Sequence, residues 1–186
     1  MKLTTGFKLF KAFFFLFGPW LGSVTMRNLC FSPCKQVFRI PLNGDQCGDA
    51  ESVDVGGQPS ALNIAVQQPE FALITTDSAI VLLHKSTVTS TTKVSYTITS
   101  SAVSPDGTEA IVGAQDGKLR IYSISGDTLT EEAVLEKHRG AITSIHYSPD
   151  VSMFASADAN REAVAWDRAT REVLSFDNFY HFRLAQ

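Results

Sequence analysis

A turn motif that returns at a fixed spacing constrains the fold of this chain more than any other feature. Ser104-Pro105-Asp106 reappears 44 residues later as Ser148-Pro149-Asp150, and the same offset places Tyr122 over Trp166. The segments between these turns alternate polar and apolar residues, which is typical of short β-strands. A period of roughly 40 to 45 residues is that of a four-stranded propeller blade. The sequence therefore predicts an all-β propeller.

The residues from His138 to Asp167 show the repeat in its most complete form. A histidine precedes an alternating run, a Ser-Pro-Asp turn, a strand of small residues and a closing Trp-Asp pair, an order typical of a WD-type repeat. We expect such a repeat to hold buried polar side chains in one hydrogen-bonded network, because buried polar groups need partners. The predicted members are His138, Ser156, Asp158, Trp166 and Asp167. We interpret this network as structural.

The predicted strands form about three four-stranded blades plus half of another, which is an incomplete ring. Residues 35–176 are predicted to be the propeller blades, and residues 177–186 a C-terminal tail. The half blade is predicted to contain strands 36–42 and 51–55, separated by a turn at 43–45. The full blades are predicted at 61–66, 71–75, 80–84 and 87–93, then 97–103, 109–113, 119–124 and 129–135, then 142–147, 153–157, 163–167 and 172–176.

Residues 1–34 fall outside the repeat pattern. This segment contains seven of the 13 phenylalanines, and four basic residues without an acidic one. Its apolar run, Ala12 to Phe17, is much shorter than the ~20 residues of a membrane-spanning helix. Basic residues before a short apolar core also occur in signal peptides. We favour an N-terminal extension that does not pack on the blades, and keep a signal or anchor segment as the alternative.

Charge and motif spacing argue against several classes of function. The formal net charge is −3, and the repeat region is acidic without a basic stripe, which argues against nucleic acid as a partner. Cys30, Cys34 and Cys47 lack the spacing of a zinc site. Neither a phosphate-binding glycine loop nor a Gly-x-Ser-x-Gly nucleophile motif is present. We therefore expect no catalytic residue, cofactor, metal or small-molecule substrate.

Several loops, beyond the general repeat positions, resemble one known family. The segments Lys118 to Ser123, Gly126 to Leu129, Leu135 to Ile142 and Tyr147 to Asp150 are similar to the second propeller of the actin-interacting WD-repeat proteins in their plant form. Gly44 to Glu51 resembles the inter-blade segment of the same family. The resemblance covers about residues 35–174. It implies two joined seven-bladed propellers in complete members, and a role in helping cofilin to disassemble actin filaments. It implies no individual binding residue here.

The predicted function is therefore non-enzymatic: an actin-binding WD-repeat protein that promotes cofilin-assisted filament disassembly. The resemblance implies actin filaments and cofilin as partners, and a cytoplasmic location at the actin cytoskeleton. Secretory delivery by residues 1–34 would instead fit a secreted propeller enzyme. A general protein-interaction adaptor would also fit the repeats, as would a truncated product without independent activity. The charged residues Glu131, Glu132, Glu136, Lys137 and Arg139 are predicted to form a solvated rim or a docking surface.

Overall fold

The structure is a computed structural model that describes residues 29–31, 36–39, 42–43, 46–47, 49 and 51–178. This part of the chain is all-β. Its strands are β1 Leu29–Phe31, β2 Gln36–Arg39, β3 Leu42–Asn43, β4 Gln46–Cys47, β5 Glu51–Asp54, β6 Pro59–Ile64, β7 Phe71–Thr76, β8 Ala79–His84, β9 Thr87–Lys93, β10 Ile98–Val103, β11 Glu109–Ala114, β12 Lys118–Ser125, β13 Thr128–Glu136, β14 Ile142–Tyr147, β15 Met153–Asp158, β16 Glu162–Asp167 and β17 Val173–Asn178.

Three antiparallel sheets of four strands follow one another along the chain, as β6–β9, β10–β13 and β14–β17. We call them blades 1, 2 and 3. A three-stranded sheet, β1-β2-β5, and a hairpin, β3-β4, precede them. This confirms the predicted propeller architecture, and the described sheets do not close into a ring. Each blade is a meander because short turns join sequential strands, as in the Asp116-Gly117 turn between β11 and β12.

The described strands differ from the predicted ones mainly before and at the start of blade 1. The first strand of blade 1 is Pro59–Ile64, whereas the sequence predicted 61–66. Pro59 can begin a strand because the first residue need not donate to the ladder. Val66 lies beyond the strand end and is 80% exposed. The next residue, Gln67, donates its N–H to Pro105 O of blade 2 at 2.9 Å. The other differences precede blade 1. Strand β1, which pairs with β2, was not predicted. The predicted strand 36–42 ends at Arg39, and Leu42–Asn43 instead pairs with Gln46–Cys47 in a short hairpin around the predicted turn.

The core lies between the blades. One cluster joins β2 and β5 to blade 1, a second joins blades 1 and 2, and a third joins blades 2 and 3. In the third cluster, Phe154 and Trp166 stack with ring centroids 5.9 Å apart. Each blade therefore buries its apolar faces against its neighbours, as expected for stacked repeats. The members of the third cluster are Ala102, Ile111, Leu119, Ile121, Ile142, Ile145, Phe154, Val164 and Trp166.

Gly113 on β11 lies at a close approach between blades 2 and 3. A Cβ atom at this position would lie 2.5 Å from Ile142 Cγ2 and 2.6 Å from Ile142 Cβ. Such distances are far inside van der Waals contact, so a larger residue would push β14 away. The absence of a side chain at Gly113 therefore allows β14 of blade 3 to pack directly on β11.

The turns of blades 2 and 3 use left-handed backbone, and blade 3 uses it without glycine. Gly107 (φ 73°) and Gly117 (φ 80°) of blade 2 correspond, 44 residues later, to Val151 (φ 64°) and Arg161 (φ 68°) of blade 3. In the third turn, which is longer in blade 3, blade 2 has Gly126 (φ 58°) and blade 3 has Arg171 (φ 64°). Since L-residues with a Cβ are strained in this region, blade 3 holds strain that blade 2 lacks.

The predicted extension and tail fall almost entirely outside the described residues. Within residues 1–34 only 29–31 are described, and within 177–186 only 177 and 178. The signal-like interpretation of the N-terminal segment therefore stays a prediction. In the described ranges, no helix is long and apolar enough to cross a membrane.

Candidate functional site

A buried polar network lies inside blade 3, between the β13–β14 connection and strands β15 and β16. His138 Nε2 lies 2.7 Å from Ser156 Oγ, and Trp166 donates its Nε1–H to the same Ser156 oxygen at 2.9 Å. The three residues are 8%, 2% and 4% exposed. Ser156 thus links the histidine before the blade to the tryptophan of its third strand, and the hydrogen bonds satisfy polar atoms that water does not reach.

Asp158 is held at the edge of this network by backbone groups. Its Oδ1 accepts from the N–H groups of Asn160 at 2.9 Å and Glu162 at 3.0 Å, and its Oδ2 accepts from Gly140 N–H at 3.0 Å. The same Oδ2 lies 3.6 Å from His138 Nδ1. Burial alone would raise the pKa of this carboxyl, but the three backbone donors and His138 outweigh it and lower the pKa. Asp158 is therefore ionised at neutral pH.

His138 is buried as well, and burial disfavours the protonated form of its imidazole. Its side chain is 0% exposed, and burial lowers the pKa of the imidazole despite the nearby carboxylates of Asp158 and Glu162. The ring is thus neutral at pH 7, with one nitrogen protonated. His138 Nδ1 is a buried atom without a hydrogen-bond partner among the described residues.

Asp167 does not join the network, although the sequence predicted that it would. Its Oδ1 accepts from the Thr170 N–H at 2.8 Å and from the Thr170 hydroxyl at 3.0 Å, in the turn after β16. Successive side chains on a strand point to opposite faces, so the neighbour of Trp166 faces away from Ser156. Asp167 therefore stabilises the β16–β17 turn.

The serine, histidine and aspartate of this network are arranged in the order of a catalytic triad, but their surroundings differ from an active site. All three side chains are buried, so a substrate carbonyl has no path to Ser156 Oγ. In addition, Trp166 donates to this oxygen. This geometry is compatible with the structural interpretation of the network, which stays a prediction.

Blade 2 shows that the blade fold does not require this network. At the equivalent positions, 44 residues earlier, blade 2 has Val94, Val112, Ala114 and Tyr122. The strand pairing is the same, since Val112 pairs with Ser101 as Ser156 pairs with Ile145. Apolar and aromatic side chains therefore fill the space that hydrogen-bonded groups occupy in blade 3.

A second polar cluster, which the sequence analysis missed, joins blades 2 and 3. Glu109, only 5% exposed, accepts a hydrogen bond from the Tyr147 hydroxyl at 2.6 Å and pairs with the Arg171 guanidinium. Arg168 donates to Asp106 at 2.9 Å, and its Nε lies 3.5 Å from Glu109. The partners of Glu109 on blade 3 lie up to 62 residues away in sequence, so no local pattern predicted them.

The titration of this interblade cluster follows from its contacts. Burial acts to raise the pKa of Asp106, but hydrogen bonds from Ser104, Arg168 and Thr108 outweigh it and hold the pKa well below its usual range. Burial, together with the Glu109 carboxylate, raises the pKa of Tyr147 far above 10. The cluster therefore keeps Asp106 ionised and the Tyr147 phenol neutral over the physiological range.

Two clefts border the contacts between the blades. One of about 330 Å³ lies along the neighbouring first strands β6, β10 and β14, and includes Asn63, Ser101 and Tyr147 in its lining. The other, of about 520 Å³, lies beside the interblade cluster and is lined in part by Glu109 and Arg171. Neither cleft is lined by Ser156 or His138.

The predicted charged rim is exposed and only partly paired. Glu136 accepts from Lys118 Nζ at 2.5 Å, while Lys137 Nζ lies 5.2 Å from the centroid of the Phe176 ring. Glu131 accepts from the Tyr122 hydroxyl at 2.9 Å, which connects the rim to the core of blade 2. The rim is thus a mixed-charge surface, compatible with either interpretation made from the sequence.

Comparison with known proteins identifies the repeat. The family model "WD domain, G-beta repeat" matches residues 84–123 and 129–167. Actin-interacting protein 1-2 of Arabidopsis thaliana is 54% identical over 147 residues, which are 79% of this chain and 24% of that protein. The 66 kDa stress protein of Physarum polycephalum is 44% identical over 141 residues, 76% of this chain and 23% of that protein.

A vertebrate relative extends the similarity. WD repeat-containing protein 1-B of Xenopus laevis is 33% identical over 113 residues, 60% of this chain and 18% of that protein. The chain spans about a quarter or less of the length of these relatives, so they contain much sequence without a counterpart here. From its repeats, its stacked blades and these similarities, we conclude that the chain is a WD-repeat β-propeller chain that resembles the actin-interacting WD-repeat proteins.

Proposed function

We propose that this chain is a non-enzymatic WD-repeat module that binds actin filaments and promotes their disassembly with cofilin. The observation that carries the proposal is the 54% identity over 79% of the chain to a relative named actin-interacting protein 1-2. A second relative named actin-interacting protein 1, from Drosophila melanogaster, is 37% identical over 73 residues. Repeat architecture alone would support only a general binding scaffold.

The structure supports a mechanism in which the loops between strands bind a partner and no covalent bond is made or broken. The three inter-sheet clusters and the interblade ion pairs hold the blades against one another, so their connecting loops have defined positions. The charged rim around Glu131 and Arg139 offers groups of both signs to a partner. We propose a cytoplasmic location at the actin cytoskeleton for this activity.

The direct test is co-sedimentation with actin filaments in the presence and absence of cofilin. We expect the chain to pellet with cofilin-decorated filaments and to increase the fraction of actin in the supernatant in proportion to its concentration. A sample that is folded by circular dichroism, yet neither pellets nor changes the actin distribution, would contradict the proposal.

A matched pair of charge reversals tests the rim as the docking surface. Arg139 lies in the charged rim, and the first variant is Arg139→Glu. Asp127 lies in an exposed turn before β13, and the second variant is Asp127→Lys. We expect the first variant to weaken sedimentation with filaments at least threefold and the second to leave it unchanged. Equal behaviour of the two variants would place the contact elsewhere on the blades.

A further inference from the structure

Strand β17 is the outermost strand of blade 3, and the described strands leave one of its edges unpaired. The strand order of this blade is β14-β15-β16-β17. In an antiparallel pair, alternate residues direct their backbone N–H and C=O groups away from the partner strand. Every second residue of β17 therefore offers its backbone groups to an additional strand. Such an edge is a template for pairing with another chain.

The side chains of β17 favour this pairing. Val173, Leu174 and Phe176 are 40%, 53% and 43% exposed, so the strand presents apolar surface to water. The only charged residue from Val173 to Asn178 is Asp177, and the strand contains no proline. Each residue of β17 thus keeps the N–H group that a sheet ladder requires.

The outer strands of the other two blades lack this combination of features. In blade 2, β13 contains Glu131, Glu132 and Glu136. In blade 1, β9 consists of threonine and serine apart from Val88, and it ends at Lys93. Charged side chains protect an edge strand from pairing. All three outer strands have a register shift at an equivalent place, so side-chain chemistry rather than backbone geometry distinguishes β17.

We propose that β17 pairs antiparallel with β17 of a second copy of this chain. The pairing joins two four-stranded blades into one sheet of eight strands. A two-fold axis at Ser175 places this residue opposite its own copy. The same register places Leu174 opposite Phe176 and Val173 opposite Asp177, each of them twice. The two copies therefore contribute identical surfaces, as in most protein dimers.

A second copy is the favoured partner because β17 is self-complementary in this register. The two contacts between Leu174 and Phe176 cover apolar side chains that water reaches in the single chain. Pairs of serine hydroxyls hydrogen-bond across strands, and apolar pairs stabilise them. Asp177 lies opposite a valine, so the two carboxylates do not face each other. Self-pairing of β13 would instead bring the glutamates of two copies together, which is unfavourable.

The contact is small, because each copy contributes one strand of six residues. Stable complexes bury ~1,200–2,000 Å² of surface in total, which involves many more residues on each side. We therefore expect a weak dimer in equilibrium with the single chain. Its population depends on concentration, and this dependence makes the equilibrium measurable.

Sedimentation velocity of the full chain over a hundredfold range of concentration measures this equilibrium. We expect the average mass to rise from one chain towards two as the concentration increases. Ser175→Lys places two like charges opposite each other at the two-fold axis, and it should raise the Kd of the dimer at least tenfold. Ser175 is exposed, so the variant should retain the fold, which circular dichroism checks.

Thr91→Lys is the matched control. Thr91 is an exposed residue of β9, the outer strand of blade 1. The substitution adds the same charge to the edge of a different blade. We expect it to leave the Kd of the dimer unchanged.

Cross-linking tests the register of the two strands. Opposed residues of an antiparallel pair have Cα atoms ~4.5–5.5 Å apart, a distance that a disulfide spans. In a chain with Cys30→Ser, Cys34→Ser and Cys47→Ser, we expect Ser175→Cys to give a disulfide-linked dimer on oxidation with diamide. Thr91→Cys in the same background should give none.

Three outcomes would overturn the proposal. One is a chain that stays monomeric over the whole concentration range. Another is a dimer whose Kd the two lysine variants change equally, or that Ser175→Cys does not cross-link, since the contact would then lie elsewhere. The last is growth into assemblies larger than a dimer, because such growth requires two different contact surfaces on each copy.

Discussion

Replacing Val151 with glycine should stabilise the chain, although the substitution removes a partly buried side chain. Val151 has φ 64°, and its equivalent in blade 2 is Gly107 with φ 73°. A left-handed conformation costs an L-residue about 1–2 kcal/mol. Val151→Gly relieves this strain but adds backbone entropy to the unfolded state, which costs about 0.4–1 kcal/mol. The difference between these two ranges is about 0–1.6 kcal/mol, so we expect a net gain of about 0.8 kcal/mol.

Two further variants separate the backbone effect from side-chain effects. Val151→Ala shortens the side chain but keeps a Cβ in the left-handed region, so it should gain little. Gly107→Val is the reverse change in blade 2, where a Cβ would lie 3.1 Å from Gln68 Cδ and 3.3 Å from Ala65 Cβ. It should destabilise the chain by about 2 kcal/mol, since strain and crowding add.

Thermal unfolding followed by circular dichroism measures these differences. For a chain of this size, 1 kcal/mol changes Tm by about 2–4 °C. Val151→Gly should therefore raise Tm by about 1–4 °C, and Gly107→Val should lower it by about 4–8 °C. If Val151→Gly is no more stable than Val151→Ala, the turn holds no backbone strain and the reasoning fails.

Three further variants test the buried network and the interblade cluster. Trp166→Ala should cost about 3–5 kcal/mol because it removes a buried ring from the core, and an unchanged denaturation midpoint would refute its packing role. Asp106 has a lowered pKa, so it contributes stability above pH ~3.9 that is lost as the pH falls. Asp106→Asn should therefore be less stable at pH 7 and flatten the stability curve below pH ~5, and parallel curves for the two proteins would contradict this. Tyr147→Phe should lower the free energy of unfolding by about 1–3 kcal/mol, because the Glu109 carboxylate loses its hydroxyl donor. Urea unfolding measures this change, and an unchanged midpoint would show that the hydrogen bond does not contribute to stability.

The alternation of residues predicted most of the fold because each blade is built from local hairpins. Strands β9 and β14 have the predicted bounds, and their neighbours differ mostly by one or two residues at an end. β1 was missed because it contains only three residues and adjoins a segment rich in phenylalanine, where alternation is not visible. Short strands on a sheet depend on tertiary pairing more than on their own sequence.

The sequence also named only some of the residues of the candidate site. The repeat pattern named His138, Ser156 and Trp166, which the structure brings together. It also named Asp167, which lies next to Trp166 on the strand and therefore faces the opposite side, where it contacts Thr170. The cluster of Glu109, Arg168 and Arg171 could not be predicted. It depends on how blade 3 stacks on blade 2, and no spacing in the sequence encodes that arrangement.

The contact between Gly113 and Ile142 has a consequence for how the blades find their neighbours during folding. The fifth residue of the second strand is Thr75 in blade 1, Gly113 in blade 2 and Ala157 in blade 3, and only Gly113 lacks the Cβ that would collide with Ile142. Repeat proteins are prone to misassembly because their units look alike. The missing side chain at Gly113 makes the surface of blade 2 that receives Ile142 different from the same position in the other two blades.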